Sequence, residues 1–212
     1  MIDCLSLMIA ALVFPHQLFK KSVLLDSVDI FYLVEDPLFF KQYSFHRSKL
    51  LLHRASMKYY ESLLKAKNKE VYYIDSAEVD LNDLFHTLRD KGTDTLKVID
   101  PTDYLLKRRL KRGAGHVGIE LKFLENPNFL TSLDQLKIDL KKNKSGYLMA
   151  SFYKAQRKRL EILVDNGEPE GGQWSYDEEN RKKLPKNMEL PSIKRLKQTS
   201  FLEEGLKHVL TK

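Results

Sequence analysis

The sequence predicts an α/β protein built on a doubly wound, mainly parallel five-stranded sheet of Rossmann-like type, with a helical extension at its C-terminal end. Three observations predict it. Short apolar runs of strand length alternate with stretches of helical period through the first 124 residues. Several of those runs are nearly continuous, as in strands covered on both faces. Beyond Leu124 the pattern turns to helices alone.

The first strand is expected at about Leu7 to Phe14. The longer run Leu5 to Phe14, broken only by Ser6, has the look of a signal-peptide core. It carries Asp3, has no basic leader, and is followed by Pro15-His16-Gln17 in place of a small-residue cleavage site. It also falls short of the ~20 apolar residues a bilayer requires. The second strand, Asp29 to Val34, stops at Glu35, Asp36 and Pro37. An aromatic loop, Leu38 to Phe45, leads into a helix over His46 to Lys67, where Leu50, Leu51, Arg54, Met57, Lys58, Glu61, Leu64 and Lys65 sort into faces. The third strand is read at Glu70 to Asp75. A helix follows over Leu81 to Lys91, opened by Asp80 and closed by Gly92.

The fourth strand spans about Thr95 to Ile99. Asp100 as cap and Pro101 at the first position predict a helix over Thr102 to Arg112, broken by Gly113-Ala114-Gly115. Gly118 to Leu124 is the fifth strand. Helices are predicted at Leu133 to Lys142 and Tyr147 to Val164, the latter with Leu148, Phe152, Leu160 and Leu163 toward the sheet. Asp165 to Trp174 reads as a loop. A basic, proline-punctuated linker runs from Arg181, and Ser200 to Leu210 forms a last helix without a partner in this chain. Residues 1–165 are expected to form the α/β domain and 166–212 a linker and extension.

The net charge of +7 is unevenly placed. Seven basic residues and no carboxylate fall between Lys141 and Arg159, with a second cluster over Lys107 to Arg112. Lys154, Arg157, Lys158 and Arg159 mark either a polyanion-facing surface, such as one for DNA, or a solvated helix face. The single cysteine, Cys4, allows no internal disulfide and builds no iron–sulfur cluster alone, so a reducing cytoplasm is the expected compartment and no membrane partner is expected.

No G-x-G-x-x-G, P-loop or G-x-S-x-G motif occurs, and the six histidines lack metal-site spacing, so neither a catalytic residue nor a metal site is assigned. What remains is a cleft for a flat ligand at the carboxyl edge of the sheet. Pro15, His16 and Gln17 after the first strand would line it, with Glu35, Asp36, Phe39 and Phe40 after the second and His53 from the next helix. Aromatic faces stack on heterocycles, while carboxylates and amides read ring N–H and C=O groups. The competing reading makes the phenylalanines core, Glu35 a cap and Asp36-Pro37 a turn.

The runs LVEDPLFF and QYSFHRSKLLLHRASMKYY, with GGQWSYDEENRKKLP at Gly171 to Pro185, resemble the N-terminal half of the deoxyribodipyrimidine photolyase-related proteins, the iron–sulfur branch of the photolyase/cryptochrome family. The similarity runs from about Leu12 to about Pro191. It implies an antenna domain that holds a light-harvesting lumazine, with His16, Gln17, Val34, Glu35, Phe39 and His53 at the matched positions. Relatives often carry Gly-Asp-Gln where this chain has Pro15-His16-Gln17, and the proline lacks an amide donor. It further implies that residues 166–212 are an interdomain linker and the start of a helical FAD domain, with Trp174, Tyr176 and Arg181 at the interface. That domain would bring FAD, a 4Fe-4S cluster and the DNA-lesion pocket, and without it this chain is not competent for DNA repair. The alternative is a free-standing nucleotide- or flavin-binding module with a regulatory or interaction role.

Overall fold

A computed structural model describes residues 7–77, 80–144, 146–177, 181–193 and 197–211; Cys4 lies outside them. The chain divides into two compact units, Met1–Asn126 with Leu196–Lys212, and Pro127–Arg195.

In the first unit the order is β1 (Met8–Val13), α1 (Val23–Ser27), β2 (Ile30–Val34), α2 (Pro37–Phe40), α3 (Arg47–Ala66), β3 (Glu70–Ile74), α4 (Leu81–Asp90), β4 (Thr93–Ile99), α5 (Tyr104–Val117) and β5 (Glu120–Leu124), closed by α8 (Ser200–Leu210). The five strands pair in parallel in the order β3-β2-β1-β4-β5, a doubly wound α/β sheet. β1 is central, and Ala10 to Phe14 are at most 1% exposed, which is why its sequence is a continuous apolar run. Alternate residues feed two cores. Ala10, Leu12, Tyr32, Val34, Leu96 and Val98 pack with Leu84, Phe85, Leu88, Leu106 and Leu110 of α4 and α5. Ala11, Val13, Phe31 and Leu33 pack with Leu24, Met57, Tyr60 and Leu64 of α1 and α3.

Two local readings of α5 need correction. α5 begins at Tyr104, not Thr102, because Thr102 takes a left-handed conformation and the true cap is Asp103, whose Oδ1 accepts from Leu106 N at 2.8 Å. Gly113-Ala114-Gly115 does not break α5, which ends at Val117 with Gly118 left-handed at φ 69°. Gly113 is buried against Phe85, and that close packing outweighs the ~1 kcal/mol helical cost of glycine.

The last helix does have a partner. α3 presents Leu51, Ala55 and Tyr59 at four-residue spacing, a second stripe beside the Met57-Tyr60-Leu64 face that meets the sheet. Gly205 of α8 seats there: a Cβ on it would lie 2.9 Å from Leu51 Cδ1 and 3.6 Å from Ala55 Cβ. Phe201 meets Tyr59 edge-on at 5.6 Å.

The second unit contains α6 (Leu133–Asp139), β6 (Lys142–Asn143), β7 (Gly146–Tyr147), α7 (Met149–Leu160), β8 (Val164–Asp165), β9 (Glu168–Pro169) and a 3₁₀ turn over Glu170–Gly172. The predicted loop thus holds a small hairpin whose turn, Asn166-Gly167, has positive φ at both residues, the geometry that Asn-Gly favours. α7 is shorter than predicted at both ends. Leu148 and Leu163, read as facing the sheet, are 54% and 59% exposed, and the buried residues of α7 are Gln156 and Arg157. Polar contacts therefore organise this unit. Gln156 accepts from Thr131 Oγ1 and donates to Asp139 Oδ2, both at 2.8 Å.

Candidate functional site

In this strand order the connections leaving β1 and β4 diverge to opposite sides of the sheet, the topological switch point at whose carboxyl edge folds of this kind place a ligand crevice. β1 ends in a turn in which Gln17 N donates to Phe14 O at 2.9 Å, with Pro15 at the position where its fixed φ suits a turn. The turn sends Gln17 inward. Its Nε2 donates to Ile99 O of β4 at 2.6 Å and its Oε1 accepts from Phe14 N at 3.4 Å, so the amide bridges the two strands across the crevice. His16 stands above it, with Nε2 3.2 Å from Pro101 O.

β2 ends on Glu35 and Asp36. Asp36 Oδ1 caps α2 by accepting from Leu38 N at 2.8 Å, so the aromatic loop begins with one helical turn. That turn aims Phe39 between two imidazoles. Its ring centroid lies 5.0 Å from His16 and 6.3 Å from His53, and Phe40 lies 5.8 Å from His53. Of the residues the sequence singled out, His16, Phe39 and His53 come together. Val34 does not face the cleft, since it is fully buried in the α4–α5 core.

Glu35 is fully buried, and both its oxygens are engaged. Oε1 accepts from Arg54 Nη1 at 2.9 Å and from the Tyr73 hydroxyl, and Oε2 accepts from Ser76 N at 3.0 Å. Arg54 Nη1 also donates to Asp75 Oδ2 at 2.6 Å, and its Nη2 lies 3.7 Å from Glu204 of α8. Glu35, Asp75 and His208 offer ligand atoms within 4.8 Å of one another, a set suited to a cation, and the Arg54 guanidinium already supplies positive charge to both carboxylates. Sequence reasoning missed this network. The available signal was Arg54 itself, a charge on the inward face of its helix between Leu50 and Met57.

Burial lowers the pKa of His16, opposed by the Pro101 carbonyl and Asp103. Burial, Lys49 and His16 lower that of His53, opposed by Glu35. Burial raises the Asp36 pKa, opposed by the Leu38 amide and Arg109. Four polar atoms here are buried without a hydrogen-bond partner: His16 Nδ1, His53 Nε2, Asp36 Oδ2 and Arg54 Nε. Each such atom costs about 1–3 kcal/mol, which a polar ligand would relieve. The neutral imidazoles also set an acid response. Because their folded pKa values lie below 6.5, the unfolded chain takes up protons first as pH falls through that value, and stability drops. The melting temperature is expected to fall between about pH 7 and pH 5.5, and to fall less in His53→Phe, when followed by circular dichroism in matched buffers.

In the second unit, Lys154 and Lys158 are exposed and lie over the Trp174 ring at 4.6 and 5.1 Å. Arg157 does not face outward as expected. It is 6% exposed and donates to Ile162 O at 3.2 Å, to Leu163 O, and to Trp174 O at 3.0 Å, because the backbone that follows α7 folds back over it. Arg159 is exposed but held by Leu130 O, Thr131 and Gln156. The Tyr176 hydroxyl donates to Gly171 O at 2.8 Å, and Arg181 is exposed. Among the described residues, no helix is long and apolar enough to cross a membrane.

The deoxyribodipyrimidine photo-lyase-related protein family model matches residues 11–212. An uncharacterized protein, R852, of Acanthamoeba polyphaga mimivirus is 35% identical over 185 residues, 82% of this chain and 94% of the viral protein. The (6-4) photolyase of Agrobacterium fabrum (strain C58 / ATCC 33970) is 22% identical over 141 residues, 64% of this chain but only 28% of that enzyme. With a match that spans nearly the whole described chain, and a doubly wound sheet beneath it, the chain belongs to the deoxyribodipyrimidine photo-lyase-related protein family.

Proposed function

We propose that this chain is the chromophore-binding, light-harvesting domain of a photolyase-related flavoprotein, taking a lumazine-type heterocycle at the carboxyl ends of β1 and β2. The observation that carries the reading is the convergence of His16, Phe39 and His53 at the crevice, each imidazole with one buried ring nitrogen unpaired. Phe39 offers a stacking face, and the two nitrogens and Asp36 Oδ2 offer partners to ring N–H and C=O groups. Light absorbed there would pass to FAD in a helical domain with its 4Fe-4S cluster, the partner that Trp174, Tyr176 and Arg181 would meet. The chain on its own supplies absorption rather than repair.

Titration of the purified chain with a lumazine, followed by fluorescence, should give a saturable complex absorbing in the near-ultraviolet to blue. Phe39→Ala and His53→Ala should each weaken it at least about tenfold, the equivalent of ~1.4 kcal/mol. No saturable binding, or binding unchanged in both variants, would reject the reading.

A second reading, a free-standing nucleotide- or flavin-binding module, draws support from the viral relative, 94% of which aligns to this chain. It predicts adenine-nucleotide or flavin binding with no lumazine complex.

DNA is a weak, electrostatic partner in the leading reading, through Lys154 and Lys158 beside Trp174. With Arg157 and Arg159 engaged internally, the double variant Lys154→Gln/Lys158→Gln should make the slope of log K against log salt shallower by about 1–2 for duplex DNA. Fluorescence anisotropy between low and physiological salt reads this directly, and an unchanged slope removes these lysines from the contact.

A further inference from the structure

We propose a second ligand site, distinct from the crevice: the cleft between α4 and α5 binds a phosphate monoester or inorganic phosphate through Arg112, His86 and His116. The cleft has a volume of about 180 Å³, room for a phosphate group and the first atoms attached to it, and is lined by His86 of α4 and by Arg112, Gly113, His116 and Val117 of α5. α5 starts after the carboxyl end of β4 and ends before β5 begins, so its last turn lies by the amino ends of the strands, opposite the crevice.

The charge in this cleft is unspent. α5 contains no carboxylate. Its Lys107 pairs with Asp100, and its Arg109 lies near Asp36 and donates to Gln42. Among the described residues, Arg112, His86 and His116 make no ion pair or side-chain hydrogen bond. The carboxylates of α4 nearest to His86 in sequence, Asp83 and Asp90, are not among the walls. Arg112 and His116 are four residues apart and share a helix face.

Packing holds the third group beside them. A Cβ on Gly113 would lie 2.3 Å from the Phe85 ring, so the missing side chain lets α4 approach α5 closely at the residue before His86. A guanidinium with two imidazoles favours an anion over a metal ion. Its fixed positive charge repels a cation, while its planar donors match phosphate oxygens.

The test follows the ring C–H signals of His86 and His116 by NMR as inorganic phosphate replaces chloride at constant pH and ionic strength, with ribose 5-phosphate as a second arm. Both signals should move along one saturable curve, and Arg112→Gln should raise the dissociation constant by about tenfold or more. Arg108→Gln, which removes another exposed cation of α5, should leave it unchanged. Saturation with ribose 5-phosphate as well as phosphate assigns a monoester ligand, and saturation with phosphate alone assigns the free ion. The absence of saturable shifts, or equal weakening in Arg108→Gln and Arg112→Gln, overturns the site.

Discussion

Replacing Arg54 by leucine is expected to destabilise the chain by about 3–5 kcal/mol, the cost of leaving a buried carboxylate without its cation. Glu35 is fully buried, and Arg54 supplies its only ion pair among the described residues, while the same Nη1 serves Asp75. Burial works against the guanidinium's charge, yet the Asp75 hydrogen bond and the fields of Glu35 and Tyr73 hold the Arg54 pKa above its ordinary value. Urea denaturation of Arg54→Leu and of Arg54→Leu/Glu35→Gln separates the two contributions. The double variant should recover a substantial part of the loss, since an amide keeps the Tyr73 and Ser76 contacts without a buried charge. A single-variant loss below about 1 kcal/mol would mean that water reaches Glu35 and that the pair is not structural.

Phe85→Ala is expected to cost about 3–5 kcal/mol by opening a cavity in the α4–α5 core, where Phe85 is fully buried. The informative companion is Gly113→Ala. In the native chain the new methyl collides with the Phe85 ring, and over-packing of this kind costs about 1–3 kcal/mol even though alanine is the better helix former. In the Phe85→Ala background the same methyl enters the vacated space. Gly113→Ala should there be neutral or stabilising, and the sign reversal in a thermal or urea double-mutant cycle is the expected result. A destabilisation of equal size in both backgrounds would show that Gly113 is required for some reason other than that ring.

The two halves of the site differed in how far the sequence disclosed them. The strands were legible because a doubly covered sheet demands apolar runs, as at Ala10 to Val13 and Phe31 to Val34. The gathering of His16, Phe39 and His53 followed from the same logic, since the ends of adjacent parallel strands lie side by side. Glu35 was harder. Its partners Arg54, Tyr73 and Ser76 lie 19, 38 and 41 residues away, and nothing in the local pattern separates a carboxylate that reads a ligand from one that neutralises an arginine. Gly113 and Gly205 misled or were overlooked for a related reason. A glycine that ends a helix and one that admits a neighbouring side chain look alike until the neighbour is known. Arg157 has the same lesson: a basic run reads as surface, and only the fold of the backbone after α7 turns one member inward.

The seating of α8 on α3 bears on how the polypeptide is held together. The whole second unit intervenes in sequence between the β5 strand and this helix, so the helix behaves as a ligand carried on a tether, its local concentration set by the intervening chain and its affinity by Gly205, Phe201 and Glu204. A protease cut in the exposed stretch around Leu184 to Leu190 would therefore sever the covalent connection without removing the contact, and the two fragments would tend to travel together under native conditions.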